Sequence, residues 1–408
     1  MTGEDPAAAD YNLHRHRLTT LLAMAKQYIP YYRQKWREAG IDAANLDPAR
    51  DFQQLPIVQK ADLRRFAVED RLDQRFELEH LQMESTSGSS GEPFQVFLDA
   101  ASLRRRQLRT MRGLWHSGYR PGQRFLWLKR LPTDRITRPS LLRRIAGMSF
   151  VNVLLDPATV LEQYYSRRPS VLYGQQSALM MLAEGIDVER RPRPSIIVGF
   201  GEQLTPSIRN LVQARLGADI TDFYGTTEVG LIAVHRPGDD SYRMMQPDLL
   251  YEYLPTEDVP GYERLIVTTL GGGAMPFIRY DTGDLVKRDH SRPGRPIVAI
   301  GGTKLDFLTM RSGQRIGPYL VDHAIYQIPG LKKYRVVQQA DHSIDLYMSM
   351  TGERAVADVE RDATTAMAGI CGPGLELRLS ELAESQGASA PKLRVIQSHV
   401  GSALTPIQ

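Results

Sequence analysis

Four short polar segments of this chain carry residue types that can work on a charged ligand. The first is Ser85-Thr86-Ser87-Gly88-Ser89-Ser90-Gly91-Glu92-Pro93, in which seven of nine residues are Ser, Thr or Gly. Such a run has almost no apolar surface to bury. Its small side chains let the backbone approach a bulky anion, and its hydroxyls and N–H groups offer donors to phosphate. A flexible Gly/Ser linker is the plain alternative. Against it, the run is short, ends in Gly-Glu-Pro, and is followed at once by a strand-like Phe94-Gln95-Val96-Phe97-Leu98. It lacks the Lys-Ser/Thr ending of a Walker loop and the Gly-x-Gly-x-x-Gly pattern. The other segments are Gly199-Phe200-Gly201-Glu202, Tyr224-Gly225-Thr226-Thr227-Glu228 and Tyr280-Asp281-Thr282-Gly283-Asp284. Singly, Thr-Thr-Glu could be a helix N-cap and Asp-Thr-Gly-Asp a tight turn, with no ligand at all.

The elements that must hold these segments follow from the hydrophobic pattern. Leu18, Leu21, Leu22, Ala25 and Ile29 recur at helical spacing up to Pro30, and Tyr31, Tyr32 and Trp36 continue the apolar face. Leu55-Pro56-Ile57 with Lys60-Ala61-Asp62-Leu63 reads as a turn entering another helix. Residues 1–80 therefore form a helical collar. A basic helix is expected over 101–116, then short buried strands near 125–128, 171–174, 195–200 and 218–224. Helices separate the later ones at 175–185 and 206–216. That alternation predicts a mostly parallel sheet, with ligands at the carboxyl ends of its strands. From Leu249 the pattern becomes antiparallel, with Gly271-Gly272-Gly273 as a turn and a third strand over 275–280. Beyond Gly301-Gly302 a compact α+β unit follows. The predicted fold class is α/β: a large N-terminal domain over 1–303 with mostly parallel sheets and a small antiparallel region, and a small, mobile α+β domain over 304–408.

With 408 residues and 42% hydrophobic content, the chain can build a large core and more than one domain. Its 51 basic against 47 acidic residues, a net charge of +4, argue against nucleic acid as a partner. The arginine clusters at 104–106, 143–144 and 190–191 read as solvated helix faces or as local attraction for an anionic substrate. A single Cys371 excludes an internal disulfide and a multi-cysteine zinc site. The polar, Ala-rich start lacks the pattern of a signal peptide, and no apolar run is long enough to cross a bilayer. The expectation is a soluble cytoplasmic protein without a membrane partner, with room for a homodimer.

The order of the segments says more than any one of them. Ser85–Pro93, Gly201-Glu202, Tyr224–Glu228, Arg279–Asp284 and a hinge-like Gly302-Thr303-Lys304-Leu305-Asp306 follow one another at suitable separations. Together with Ile29-Pro30-Tyr31-Tyr32-Arg33 and Leu55-Pro56-Ile57…Lys60, this order resembles the adenylate-forming superfamily, and within it the phenylacetate–CoA ligase-like branch. The resemblance covers nearly the whole chain.

What the resemblance implies is a ligase that uses ATP and Mg²⁺ to convert a carboxylic acid to an acyl-adenylate, then to a thioester with CoA. Transfer to an amine or a carrier-protein thiol is the alternative, as is a non-catalytic nucleotide-binding homologue. By the same resemblance, Ser85, Thr86, Ser87, Gly88, Ser89, Ser90 and Gly91 would wrap the β- and γ-phosphates. Tyr224, Gly225 and Thr226 would line the nucleotide, with Tyr224 against adenine, and Gly201 and Glu202 would form a neighbouring wall. Thr227 would donate to the α-phosphate, Glu228 would ligate Mg²⁺, and Asp284 would accept both ribose hydroxyls. Lys392 is the candidate adenylation lysine, although the glycine that precedes it in relatives is missing. Tyr173, Phe200, Phe223 and Gly230 give an aromatic and small-residue pocket suited to an aryl or arylalkanoic acid, or else they are core. Trp115 and His116 are further wall candidates, with a packed core Trp the simpler account. Three departures stand out: Glu92 where many relatives carry lysine, Thr303 where the hinge usually carries arginine, and no cysteine beside His235, so no zinc is expected.

Overall fold

The computed structural model describes residues 6–41, 47, 51–85, 94–129, 147–256, 259–303, 307–317, 321, 324–325, 328–372, 374–382 and 396–400. It divides into two compact units, each discontinuous in sequence. Unit 1 comprises Met1–Leu114, Tyr224–Val234 and Asp240–Ile300; unit 2 comprises Trp115–Phe223, His235–Asp239 and Gly301–Gln408.

Unit 1 begins with α1 (Pro6–Tyr28) and α2 (Pro30–Glu38), separated at Ile29, with Pro30 in the first helical turn where its missing N–H costs nothing. A short α3 (Lys60–Arg64) follows. The antiparallel pair β1 (Gln82–Ser85) and β2 (Gln95–Leu98) sets Ser85 opposite Gln95. The basic helix α4 (Ala100–His116) starts at Asp99, whose carboxylate accepts the Ala101 and Ser102 N–H groups at 2.9 and 3.1 Å. Later strands of this unit are β8 (Gly230–His235, its residues to Val234 in this unit), β9 (Arg243–Met244), β10 (Leu249–Pro255), β11 (Glu263–Thr269), β12 (Tyr280–Arg288) and β13 (Ile297–Thr303, its residues to Ile300 in this unit). Strands β10 to β13 form one sheet in chain order. The helical collar packs on it in a single core running from Leu18 to Ile297.

The third antiparallel strand lies five residues later than its apolar run suggests, at 280–288 rather than 275–280. Pro276 cannot donate to a ladder, and Arg279 adopts a left-handed φ of 48°. The buried Arg279 guanidinium explains the kink: it pairs with Glu252 at 2.9 Å and donates to the Gln53 and Leu55 carbonyls.

Unit 2 contains the parallel strands β3 (Phe125–Lys129), β4 (Met148–Asn152), β5 (Val171–Gln175), β6 (Ile196–Phe200) and β7 (Ile220–Thr226, its residues to Phe223 in this unit), in the order β4-β3-β5-β6-β7. Helices α5 (Pro157–Arg167), α6 (Gln176–Gly185) and α7 (Pro206–Leu216) supply the crossovers. Asp156-Pro157 and Thr205-Pro206 start α5 and α7 alike, each with a side-chain cap followed by proline. One sheet face, with Leu126, Leu128, Leu172, Ile197 and Ile220, packs on these helices. Alternation puts Phe125, Trp127, Phe150, Tyr173, Phe200 and Phe223 on the other. The last part of unit 2 has its own core, from Leu308 to Ile396. There the hairpin β14 (Leu308–Thr309) and β15 (Arg315–Ile316) precedes β16 (Leu331–Gln338), β17 (Ile344–Met350), β18 (Leu377–Glu381) and β19 (Ile396–Ser398), with α8 at Val356–Cys371. Among the described residues no helix is long and apolar enough to cross a membrane.

Tyr31, Tyr32, Tyr164 and Tyr280 are all at most 1% exposed, and burial raises each phenol above its ordinary value of 10.0. Unfolded phenols ionise through pH 10 while the native ones keep their protons. Their contribution is thus complete below pH 10 and is lost as pH rises above it, by up to about 1.4 kcal/mol per pH unit for each phenol. Urea midpoints measured from pH 8.5 to 11 should fall steeply at the alkaline end; a flat profile would contradict the burial.

Candidate active site

The site candidates divide between the two units. In unit 1, β7 ends at Tyr224-Gly225-Thr226, and a tight connection through Thr227, Glu228 and Val229 leads into β8. Gly225 is required there because a Cβ would lie 2.5 Å from the Gly230 carbonyl oxygen, and Gly230 itself has φ +83°. Gly225→Ala should cost about 1–3 kcal/mol through overpacking against backbone, read as a lower denaturation midpoint; an unchanged midpoint would rule out so close an approach. The Thr226 hydroxyl accepts the Val229 N–H at 3.2 Å.

Helix α4 holds the same connection from behind. Arg106 donates to the Thr227 carbonyl at 2.8 Å and to the Glu228 carbonyl, and Arg109 donates to the Val229 carbonyl at 2.6 Å. Arg106 also pairs with Glu84 at 3.0 Å, next to Ser85 at the root of the Ser/Gly run. Burial lowers the Arg106 guanidinium to about 10, partly offset by Glu84, which leaves it charged at neutral pH. These arginines are therefore internal braces, which corrects the solvated-face reading for Arg106; Arg109 is not among the arginines singled out from the sequence. Their spacing of three residues, with Gly113 and Leu114 buried further along the helix, was the available signal.

Glu228 is 3% exposed, and one of its oxygens, Oε1, receives both the Lys60 ammonium at 2.6 Å and the Tyr280 hydroxyl at 3.1 Å. Its Oε2 has no hydrogen-bond partner among the described residues. One carboxylate with an uncommitted oxygen fits Mg²⁺, which commonly takes one or two carboxylates and completes its shell with phosphate and water. A second tie joins the same two segments: the Tyr224 hydroxyl donates to Asp284 Oδ2 at 2.6 Å. Burial, reinforced by Asp284, raises the Tyr224 phenol well above 10.0 and keeps it a neutral donor. Asp281 is held by Arg264 at 2.5 Å. The register of β12 against β11 breaks between Arg264 and Ile266, and Gly283 has φ +79°. Asp284 thus projects from a bulge inside a strand rather than from a turn.

In unit 2, Tyr173 and Phe200 stack with ring centroids 4.5 Å apart, and Phe223 meets Tyr173 edge-on at 6.0 Å. Trp127 and Phe125 complete the contacts of Tyr173 at 5.2 and 5.8 Å. Gly201 has φ +79°. The Glu202 carboxylate accepts the Ser177 N–H at 2.6 Å and its hydroxyl at 2.9 Å, so it caps the start of α6. Trp115 is 48% exposed rather than a packed core residue. Thr86 to Gly91 and Lys392 lie outside the described residues.

The fold is that of acyl-CoA ligases that pass through an adenylate. It matches a 2-hydroxyisobutyryl-CoA ligase solved in the postadenylation state with 2-HIB-AMP, with a TM-score of 0.77 and 20% identity over 97% of this chain and 90% of that one. In sequence the chain is similar to the phenylacetate–coenzyme A ligase of Thermus thermophilus, 28% identical over 371 residues, covering 82% of this chain and 79% of the relative. A phenylacetate–coenzyme A ligase of Pseudomonas putida is 23% identical over 349 residues, covering 79% and 77%. No protein-family model matches the chain.

Proposed function

We propose that this protein is an AMP-forming acid–CoA ligase acting on an aryl or arylalkanoic acid. The observation that carries the reading is the double tie between the 224–228 and 280–284 segments. It sets the Tyr224 phenol beside the Asp284 carboxylate and the Tyr280 phenol beside the buried Glu228 carboxylate within unit 1. The names of the relatives, phenylacetate–coenzyme A ligases, favour an aryl acid and CoA.

In the first step a carboxylate oxygen of the acid attacks the α-phosphorus of ATP. The bond from that phosphorus to the bridging oxygen breaks, and pyrophosphate leaves with the electron pair. In the second step the CoA sulfur attacks the acyl carbon, the bond to the AMP oxygen breaks, and the thiol proton passes to solvent. No side-chain nucleophile is needed; positioning and charge neutralisation supply the rate. Mg²⁺ bound at Glu228 would neutralise phosphate charge. Tyr224 packs on adenine, Asp284 holds the ribose hydroxyls, and Thr227 donates to the α-phosphate. Ser85 and the run through Gly91 embrace the β- and γ-phosphates. Gly201 and Glu202 contribute backbone to the adenine wall, since the Glu202 carboxylate already caps α6. Tyr173, Phe200 and Phe223, in ring contact within unit 2, would supply the aromatic walls for the acyl group. The part after residue 303, supported by its separate core, is the lid that delivers Lys392.

ATP–pyrophosphate exchange with a panel of aryl acids tests the first step, and absence of exchange with every acid would sink it. Thioester formation on adding CoA, against an amine or a carrier thiol, tests the acceptor. Lys392→Ala should suppress adenylation; an unchanged rate would mean that another lysine serves.

A further inference from the structure

We infer that Lys60 is a phosphate-binding residue of this site: its ammonium neutralises Glu228 when no nucleotide is present and moves to the β- and γ-phosphates when ATP binds. The inference rests on the adenylation reading given above and extends it to a residue outside the 85–93, 224–228 and 280–284 segments.

Three observations lead there. First, Lys60 is placed by design of the backbone. Val58 forms a parallel bridge with Tyr280, its N–H reaching the Arg279 carbonyl at 2.9 Å and its carbonyl accepting the Asp281 N–H at 2.9 Å. The Arg279 guanidinium fastens Gln53 and Leu55 on the same approach. The start of α3 is therefore locked beside the 280–284 segment, and Lys60 reaches Glu228 from it at 2.6 Å. Second, the two partners differ in access: the Glu228 side chain is 3% exposed and that of Lys60 35%. A buried carboxylate needs a counter-charge, yet this cation retains a path to the solvent side from which a polyphosphate would enter. Third, the nearby Arg106 and Arg109 are largely buried and face backbone carbonyls, although Nε and Nη1 of Arg109 have no hydrogen-bond partner among the described residues. Arg106 is shared among Glu84 and the Thr227 and Glu228 carbonyls, and Arg109 holds the Val229 carbonyl beside Asp248. The Ser/Gly run itself carries Glu92 and no lysine. Of these three cations around Glu228, Lys60 is the one whose side chain is substantially exposed, 35% against 14% for Arg106 and 5% for Arg109, and so is able to exchange its ion pair for phosphate oxygens.

Calorimetry on the full chain with ATP plus Mg²⁺, with pyrophosphate plus Mg²⁺ and with AMP separates the possibilities. Lys60→Gln should weaken ATP and pyrophosphate by about tenfold or more, leave AMP within about twofold, and be largely rescued by Lys60→Arg. Equal weakening of ATP and AMP, or no weakening of ATP, would overturn the assignment. In wild-type protein, amine-modifying reagent followed by mass spectrometry should show Lys60 protected by ATP or pyrophosphate but not by AMP. This readout holds even if a variant misfolds, and equal protection by AMP would count against the role. If the wild-type protein binds neither ATP nor pyrophosphate, the adenylation reading itself fails; if it binds both and Lys60→Gln binds them equally well, only Lys60 is misassigned.

Discussion

Glu228→Gln should reduce ATP–pyrophosphate exchange about a thousandfold, the scale expected when charge stabilisation at a reacting phosphate is removed, while the protein remains folded. The amide keeps the size of the carboxylate and can still accept from the Tyr280 hydroxyl, 3.1 Å away. Lys60, about one-third exposed, can turn its ammonium to water when its partner becomes neutral. Stability should therefore shift by no more than about 1–2 kcal/mol, while the oxygen proposed for Mg²⁺ loses its charge. Exchange retained within about tenfold of wild type, in a variant with a normal denaturation midpoint, would show that Glu228 is not the metal carboxylate.

Arg106→Ala is the contrasting case, because both stability and turnover should fall. The guanidinium is nearly buried and serves Glu84 and the Thr227 and Glu228 carbonyls together. Its removal strands these acceptors, at about 3 kcal/mol or more for breaking a largely buried charged network. The Thr227-Glu228 connection would lose its support from α4, and exchange should drop about a hundredfold. Arg106→Lys should recover little, since one ammonium cannot reproduce a fork spread over separate acceptors. Glu84→Gln should be much milder, because the two carbonyl bonds survive. Exchange at the wild-type level in folded Arg106→Ala would show that the brace is dispensable.

Much of this architecture was legible from residue order. The helix break at Pro30, the capped starts at Asp156-Pro157 and Thr205-Pro206, and the alternation of strand and helix from 125 to 226 are local signals, and local signals survive folding. The polar segments also announced themselves, since runs of Ser, Thr, Gly and carboxylates at strand ends offer little apolar surface to bury. What sequence could not show was long-range. Arg106 looks like one member of a surface cluster until Glu84 and Thr227, 22 and 121 positions away, are brought to it. Lys60 and Glu228 meet only because Val58 bridges Tyr280. The misplaced third strand was a different failure. The apolar run 275–280 is genuine, but Pro276 and the left-handed Arg279 spend it on core contacts before the ladder begins. Glu202 shows the same limit: its carboxylate binds a helix start that no motif could announce.

The ring of Tyr173 touches Phe125, Trp127, Phe200 and Phe223 at once. A cluster so interlocked has little tolerance for piecemeal change, since shrinking one ring leaves four neighbours to resettle around a void. If these rings also bound the acid, a new substrate preference would arise through linked substitutions, with intermediates that lose stability before they gain selectivity. Libraries that randomise positions 125, 127, 173, 200 and 223 together should yield altered acid preferences more often than scans of each position alone.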